Sequence, residues 1–581
     1  MRFEIDNLGY RWKGNYDPAS SYIDNDVVFH AGGAYYFKNG VLNPFQYGVS
    51  DAESIGELLV RGREGVAGSA GQRIEVRSDG YPAYRFPIKR NGTIVKALPK
   101  NVIDYHGGYG RWGMYWHGDV MMMDGSVRSW GRMIYGQGGQ GRTDDISRSR
   151  PGLANLPNGV KAKSLFSGIH VTFVIDQDDY LWSCGYQYYH GTGNQNSSHV
   201  GNMTRVDGFG DIPAGTKFKF AGQIHDYRSG GRCFAVTLDG NAIYWWGYNY
   251  DGACGVGTYE IDGVVPYPRR ALGLPDDIVI DKVYGMGGGN PASYVIDENG
   301  ILYTAGEYSS NFHQQSNLNG NYEFKKFHPW GDWNTDRKVV HICATENQGH
   351  WNDGYYRIAA ITFSNGDYFW RSDGVPQVNY FGTVNWNRPF GMPGETPENT
   401  NVKKAIARNG GYMTHWILKN DGSVWSKGYD GYVVHNGSSN GTWTQWEFPN
   451  AGEYCIKLSA VGADYLGSVG VLSNLGRLYM VGHDFEGCRG RGTSGDSSRP
   501  QDSNGTYAGL YPVLSDKVFI DFQHFGTHGD SYGGSNADGD TSGGVYALTV
   551  DGEVWAWGYG GYNVLGDDDG EWSSTPQKII F

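Results

Sequence analysis

One eleven-residue pattern recurs down this chain and constrains its fold more than any other feature. It reads MMMDGSVRSWG at Met121–Gly131, IDQDDYLWSCG at Ile175–Gly185, TLDGNAIYWWG at Thr237–Gly247 and IDENGILYTAG at Ile296–Gly306. Further copies are LKNDGSVWSKG at Leu418–Gly428, LSNLGRLYMVG at Leu472–Gly482 and LTVDGEVWAWG at Leu548–Gly558, and a degenerate one, ITFSNGDYFWRS, fills Ile361–Ser372. With that copy there are eight. The closing glycines at 131, 185, 247 and 306 stand 54, 62 and 59 residues apart, and those at 428, 482 and 558 stand 54 and 76 apart. A period of this size marks a propeller, a solenoid or an array.

Each copy reads as a β-hairpin. An apolar strand runs into Asp-Gly or Asn-Gly, the pair that best tolerates the positive φ angles of a two-residue turn. The returning strand alternates and turns apolar residues inward, Val127 and Trp130 in the first copy, Val554 and Trp557 in the last. One hairpin cannot bury such a face alone, so it must stack on the next copy. Radial closure of small sheets leaves only short edges, and helical periodicity of useful length is absent. The expected fold class is all-β: a seven- or eight-bladed β-propeller with a small N-terminal β module and neck.

Several hairpins are followed by a glycine loop: GQGGQGRTDD at Gly136–Asp145, GACGVGTYE at Gly252–Glu260 and GCRGRGTSGD at Gly487–Asp496. Together with the repeated hairpin this resembles the regulator-of-chromosome-condensation repeat family, over roughly Pro99 to Phe581. The resemblance implies a propeller of seven or eight blades and, as one reading of function, a guanine-nucleotide exchange factor for a small GTPase. The long last step is inflated by GTHGDSYGGSNADGDTSGG at Gly526–Gly544, which reads as a loop insertion. The final STPQKIIF resembles an outer strand, expected to close the ring against Thr93–Leu98.

The 581 residues suit one large propeller plus smaller modules, in the order 1–48, 49–98 and 99–581. A formal charge of −13 argues against nucleic acid, whose binding needs clustered Lys and Arg. No apolar core of a signal peptide follows Met1 and no 18-residue apolar run exists, so membrane insertion is not expected. The six cysteines form no close pair, so neither a zinc site nor a disulfide framework is indicated.

Residues 12–40 carry Trp, Tyr, then Tyr-x-x-x-Asp-Val-Val and Gly-x-x-Tyr-Tyr. This is similar to small chitinase-type carbohydrate-binding modules, which also recur in bacteriophage tail proteins. The resemblance implies that Trp12, Tyr22, Tyr35 and Tyr36 bind by stacking on sugar rings; the plain alternative is that they form the core of a short module. Glycines at 62, 65, 68 and 71 give three collagen-like triplets without proline, a linker or a short triple helix. The continuation GSAGQRIEVRSDGYPAYRF, Gly68–Phe86, resembles a segment of bacteriophage tail-fibre proteins.

No His-Glu-x-x-His, P-loop or Gly-x-Ser-x-Gly motif is present. The acidic clusters at Asp538–Asp540 and Asp567–Asp569 lack the ligand spacing of a calcium loop. The expectation is therefore a chain without enzymatic activity, cofactor or metal. On the tail-fibre resemblance it is a bacteriophage virion structural protein of tail, fibre or capsid surface, acting in host attachment. Its expected partners are other virion proteins, with a host-surface glycan and a homotrimer as further options, and no nucleic acid. The alternatives are the exchange factor and a polysaccharide-degrading propeller enzyme.

Overall fold

A computed structural model of the chain describes, within residues 1–116, the backbone of eight short strands. From residue 117 to residue 580 it describes strands and turns, apart from loops of which the longest are 307–321, 328–337, 374–400, 429–439, 493–509 and 527–542. The chain divides into two compact units, Met1–Arg73 and Ile74–Phe581.

In the first unit, strands Phe3–Ile5, Tyr10–Asn15, Asp26–His30, Gly33–Lys38 and Val41–Pro44 form one five-stranded sheet in sequence order. Neighbours are antiparallel except Tyr10–Asn15 and Asp26–His30, which run parallel.

The second unit is an eight-bladed β-propeller, and no α-helix occurs among the described residues. Blade 1 is built from Val95–Ala97, His117–Met122, Val127–Arg132 and Ser147–Leu153. Blades 2 to 8 start at Ala162, Phe218, Ile280, Val339, Val402, Cys455 and Phe519 and end at Arg205, Arg270, Phe327, Asp373, Gln445, Val513 and Lys578. Each is an antiparallel meander of four strands, except blade 5, with three among the described residues. The first strands of most consecutive blades stand side by side around the axis. Every hairpin copy forms the second and third strands of a blade. These are the most deeply buried, with all six residues of Arg232–Thr237 and all six of Ile243–Tyr248 inside.

The turns differ from the two-residue type expected. In blade 4 the Asp297 N–H donates to Ile301 O (3.0 Å) and the Gly300 N–H to Asp297 O (2.9 Å), leaving three residues in the loop. Only the glycine takes a positive φ, +74° at Gly300, so the preceding Asn or Asp keeps an ordinary conformation. This is a type I turn completed by a left-handed residue, the usual three-residue hairpin. The glycine has a second task. Its carbonyl accepts the N–H that opens the next blade: Ala162 to Gly125 O, Ile280 to Gly240 O, Val339 to Gly300 O, Val402 to Gly366 O, Cys455 to Gly422 O and Phe519 to Gly476 O, all at 2.7–2.9 Å. In blade 2 the same place is held by Asp179, at φ +72°, whose carbonyl accepts from Phe218.

Ring closure also departs from expectation. Val95–Ala97 pairs with Val120–Met122 of its own blade, and Ser573–Lys578 pairs with Trp555–Gly558 of its own blade. Both ends of the ring are satisfied by neighbouring sequence, so no strand is left over to exchange. Closure is made by side chains: Val120, Met122 and Trp130 of blade 1 share one buried cluster with Ile520, Tyr546, Leu548 and Ile579 of blade 8. The hydrophobic core as a whole lies between blades, as a ring of such clusters.

Candidate interaction face

The antiparallel meander gives the propeller two unlike faces. One carries the short Asp-Gly turns between second and third strands. The other carries the loops between first and second strands and the longer loops between third and fourth. The glycine loops fall on this second face, so variable connections are concentrated there on a rigid frame, the usual location for binding.

The closing glycine of five repeats builds that face. Gly131, Gly185, Gly247, Gly306 and Gly558 have φ of +91°, +124°, +94°, +117° and +100°, which side-chain-bearing residues rarely adopt. The pairing of third and fourth strands slips across Gly131, Gly185, Gly247 and Gly558, a β-bulge that frees the residue before the glycine from the ladder. That residue then reaches the preceding blade. The Trp130 Nε1–H donates to Val564 O of blade 8 (2.7 Å), and Trp246 Nε1–H to Gly191 O of blade 2 (2.9 Å). A Cβ at Gly490 would lie 2.8 Å from Trp557 Nε1, and one at Gly193 would lie 2.9 Å from Trp246 Cε2. Gly490 of blade 7 and Gly193 of blade 2 thus leave room for the indole of the next blade.

Between blades 1 and 2 the equivalent residue is Cys184, whose thiol donates to Gln137 O (3.2 Å). A thiol fills far less of the seam than an indole, and a polar cluster stands beside it. The Asp119 carboxylate, wholly buried, accepts from Ser167 Oγ (2.6 Å) and Thr172 Oγ1 (3.0 Å) and lies 3.1 Å from His117 Nε2. Burial alone would raise the Asp119 pKa, but His117 and the hydroxyl donors outweigh it and hold the carboxyl below its ordinary value. Burial, and the Asp119 charge next to it, push the Cys184 thiol well above its ordinary value, so it stays protonated and unreactive. A depressed carboxyl contributes stability that is present above its unfolded pKa and fades as pH falls through the folded one. Asp119→Asn should therefore lower the melting temperature at pH 7 and lose that penalty on acidification below the carboxylate range. Parallel melting curves from pH 7 to pH 3 that never converge would contradict this.

Above that seam, on the loop face, three rings meet. Tyr135 leaves the third strand of blade 1, while Tyr186 and His199 flank the loop of blade 2. The Tyr135 and Tyr186 centroids are 4.4 Å apart, Tyr135 and His199 4.6 Å, and Tyr186 stacks on His199 at 5.3 Å. All three are partly exposed. Gly136 makes the approach possible, since a Cβ there would sit 2.6 Å from Gly201 Cα. The sequence reading did not single these rings out; their positions flanking the glycine loop were the available signal.

Of the residues expected to bind ligand, register places Trp12, Val27 and Tyr36 in one row of the first sheet, and Tyr35 in the adjacent row with Val28. Tyr22 lies outside the described residues. Among the described residues no group of three or more His, Cys, Asp or Glu is placed to hold a metal.

No model of a known protein family matches the chain. The sequence is similar to guanine nucleotide exchange factor SRM1 of Saccharomyces cerevisiae, 26% identical over 192 residues. That stretch is 32% of this chain and 37% of the exchange factor, so the chain spans little more than a third of that relative. It is longer than everything ahead of the first propeller strand at Val95, so it falls at least partly in the propeller. Part of the propeller is thus similar in sequence to a guanine nucleotide exchange factor.

Two solved structures are similar to this chain at low identity. Prp20p of Saccharomyces cerevisiae, described with its binding to Gsp1p and histones, is 14% identical, with 78% of this chain and 85% of that one covered and a TM-score of 0.42. Yeast RCC1 (Prp20) with Kap60 bound is 14% identical, with 89% and 90% covered and a TM-score of 0.44. The eight-bladed assignment rests on the strand pairing itself.

The SRM1 similarity corrects the expected function. A bacteriophage tail, fibre or capsid component was expected from one short segment, Gly68–Phe86, and the module before it, whereas 192 residues of the chain are similar to an exchange factor of a yeast. The expected virion location falls with it, as do the partnerships with virion proteins and a host-surface glycan and the homotrimer. The expectation of a chain without activity of its own is corrected too, because promoting nucleotide exchange is the activity in the relative's name.

Proposed function

We propose that the propeller binds a small GTPase through its loop face and promotes release of the bound guanine nucleotide. The observation that carries this reading is the 192-residue similarity to a guanine nucleotide exchange factor. Nucleotide release breaks no covalent bond. It requires that the propeller bind the nucleotide-free GTPase more tightly than the loaded one, since a binder shifts an equilibrium only by its differential affinity. A stiff ring with its longer loops on one face suits that task, because little of the binding energy is lost in ordering the scaffold.

The test is a release assay with fluorescent GDP on a panel of small GTPases that includes Gsp1p, the partner named for the Prp20p structure. The expected result is a tenfold or greater acceleration for at least one GTPase. Unchanged release rates and no binding across the panel would overturn the proposal.

A further inference from the structure

We infer that the seam between blades 1 and 2 is a latch, the place where the ring parts first, opening from the loop face about a hinge at the turn face. The inference concerns the ring alone and does not rest on the exchange reading. The ladders align Asp119, Phe173 and Tyr546, whose partners Ser129, Ser183 and Ala556 each stand one residue before Trp130, Cys184 and Trp557. At two seams this alignment brings rings together. Phe173 lies edge-on to Trp246 with centroids 5.9 Å apart, and Tyr546 edge-on to Trp130 at 5.5 Å. Between blades 1 and 2 the same two places hold Asp119 and Cys184.

The apolar part of this seam is correspondingly poor. Among the described residues the cluster shared by blades 1 and 2 contains one ring, Trp182, whereas that of blades 2 and 3 contains Phe166, Phe173, Phe218, Tyr244 and Trp246. Less apolar surface meets water when blades 1 and 2 part, and that area sets much of the cost of a local opening. Polar groups lower the cost further. Asp119 Oδ1 and His117 Nδ1 are buried and complete no hydrogen bond. The Ser129 hydroxyl favours the Asp119 charge but falls short of hydrogen-bond geometry with it. Water entering the open seam would satisfy these atoms and relieve part of their desolvation.

The Asp119 carboxylate holds the seam shut. Ser167 and Thr172 of blade 2 donate to it (2.6 and 3.0 Å), and His117 Nε2 lies 2.8 Å from Thr172 Oγ1. These groups stand at the loop end: His117 opens the second strand of blade 1, Ser167 closes the first strand of blade 2, and Thr172 is second in the strand after it. The turn end is fastened separately, by the chain from Leu153 to Ala162 and by the Ala162 N–H to Gly125 O (2.8 Å). The outer tie of the glycine loop does not set this seam apart. Gly141 N–H to Gly201 O recurs as Gly257 to Tyr322 O and Gly492 to Ser574 O, all at 2.6–2.7 Å. The difference lies in the buried pair.

Buried cysteines report the opening. Cys184 lies in this seam, Cys233 in that of blades 2 and 3, and Cys343 and Cys455 in the cluster of blades 5 to 7. While the seam is shut, burial and the Asp119 charge keep the Cys184 thiol protonated, so its modification measures opening. The full chain is alkylated with N-ethylmaleimide under native conditions, and the rate at each cysteine is read by peptide mass spectrometry. Cys184 is expected to react at least tenfold faster than Cys233, Cys343 and Cys455. Thr172→Val removes one donor to Asp119 and should speed Cys184 at least fivefold while leaving the other three unchanged. Ser167→Ala takes its place if the valine variant does not fold. A Cys184 rate no greater than that of Cys233 overturns the inference. So does a variant that leaves Cys184 unchanged or speeds all four alike, since the ring would then open elsewhere or only by unfolding as a whole.

Discussion

Trp130→Ala is expected to unseal the ring, at a cost of about 3–5 kcal/mol for loss of a buried indole and the cavity it leaves. Trp130 is fully buried, donates to Val564 O of blade 8 and packs edge-on against Tyr546 at 5.5 Å. The Val564 carbonyl keeps a donor in the Tyr546 hydroxyl (2.6 Å), so the loss is mainly one of packing at the closing seam. No strand is exchanged between blades 1 and 8, so these side chains carry much of the closure. Trp572→Ala serves as the control: that residue is 45% exposed, and its replacement should cost no more than about 1 kcal/mol. Denaturant titration of both variants checks the claim. Equal midpoints for the two would mean that Trp130 does not seal the ring.

The second large effect is expected at a turn. Gly366→Val forces a β-branched residue into φ +84° and brings its Cβ within 2.8 Å of Asn401 Cα. The clash is with backbone, which cannot swing aside as a side chain would. Left-handed strain of about 1–2 kcal/mol and overpacking of about 1–3 kcal/mol add at this point. The Val402 N–H bond to Gly366 O is disturbed with them, which uncouples blade 5 from blade 6. A thermal melt should show a large fall or a second transition. A variant that melts with the parent would show that the turn glycine is not the tie between blades.

The hairpin repeat was legible because its signal is local: apolar strand, Asp-Gly, alternating strand, glycine. Eight copies gave eight blades, and even the degenerate Ile361–Ser372 forms a hairpin in blade 5. What could not be read were the relations between copies. The contact between one blade's loop and the tryptophan of the next joins residues 55 positions apart at Gly191 and Trp246, and 434 apart at Trp130 and Val564. No local pattern encodes such a pairing. The closing strand was misplaced for the same reason: Ser573–Lys578 looks like an outer strand, and sequence does not say whose. The turn type was misread because Asp-Gly suits both two-residue and three-residue hairpins, and only the hydrogen-bond pattern separates them. The functional error had another origin, since a short segment near residue 70 was given more weight than the repeats that make up most of the chain.

The most direct test of the account is hydrogen–deuterium exchange on the complex with a responsive GTPase, read peptide by peptide around the ring. The account predicts protection confined to the loop face, with the Asp-Gly turns at Gly240 and Gly422 and the Asn-Gly turn at Gly300 unchanged. Protection centred on those turns, with the loop face exchanging as in the free protein, would contradict it.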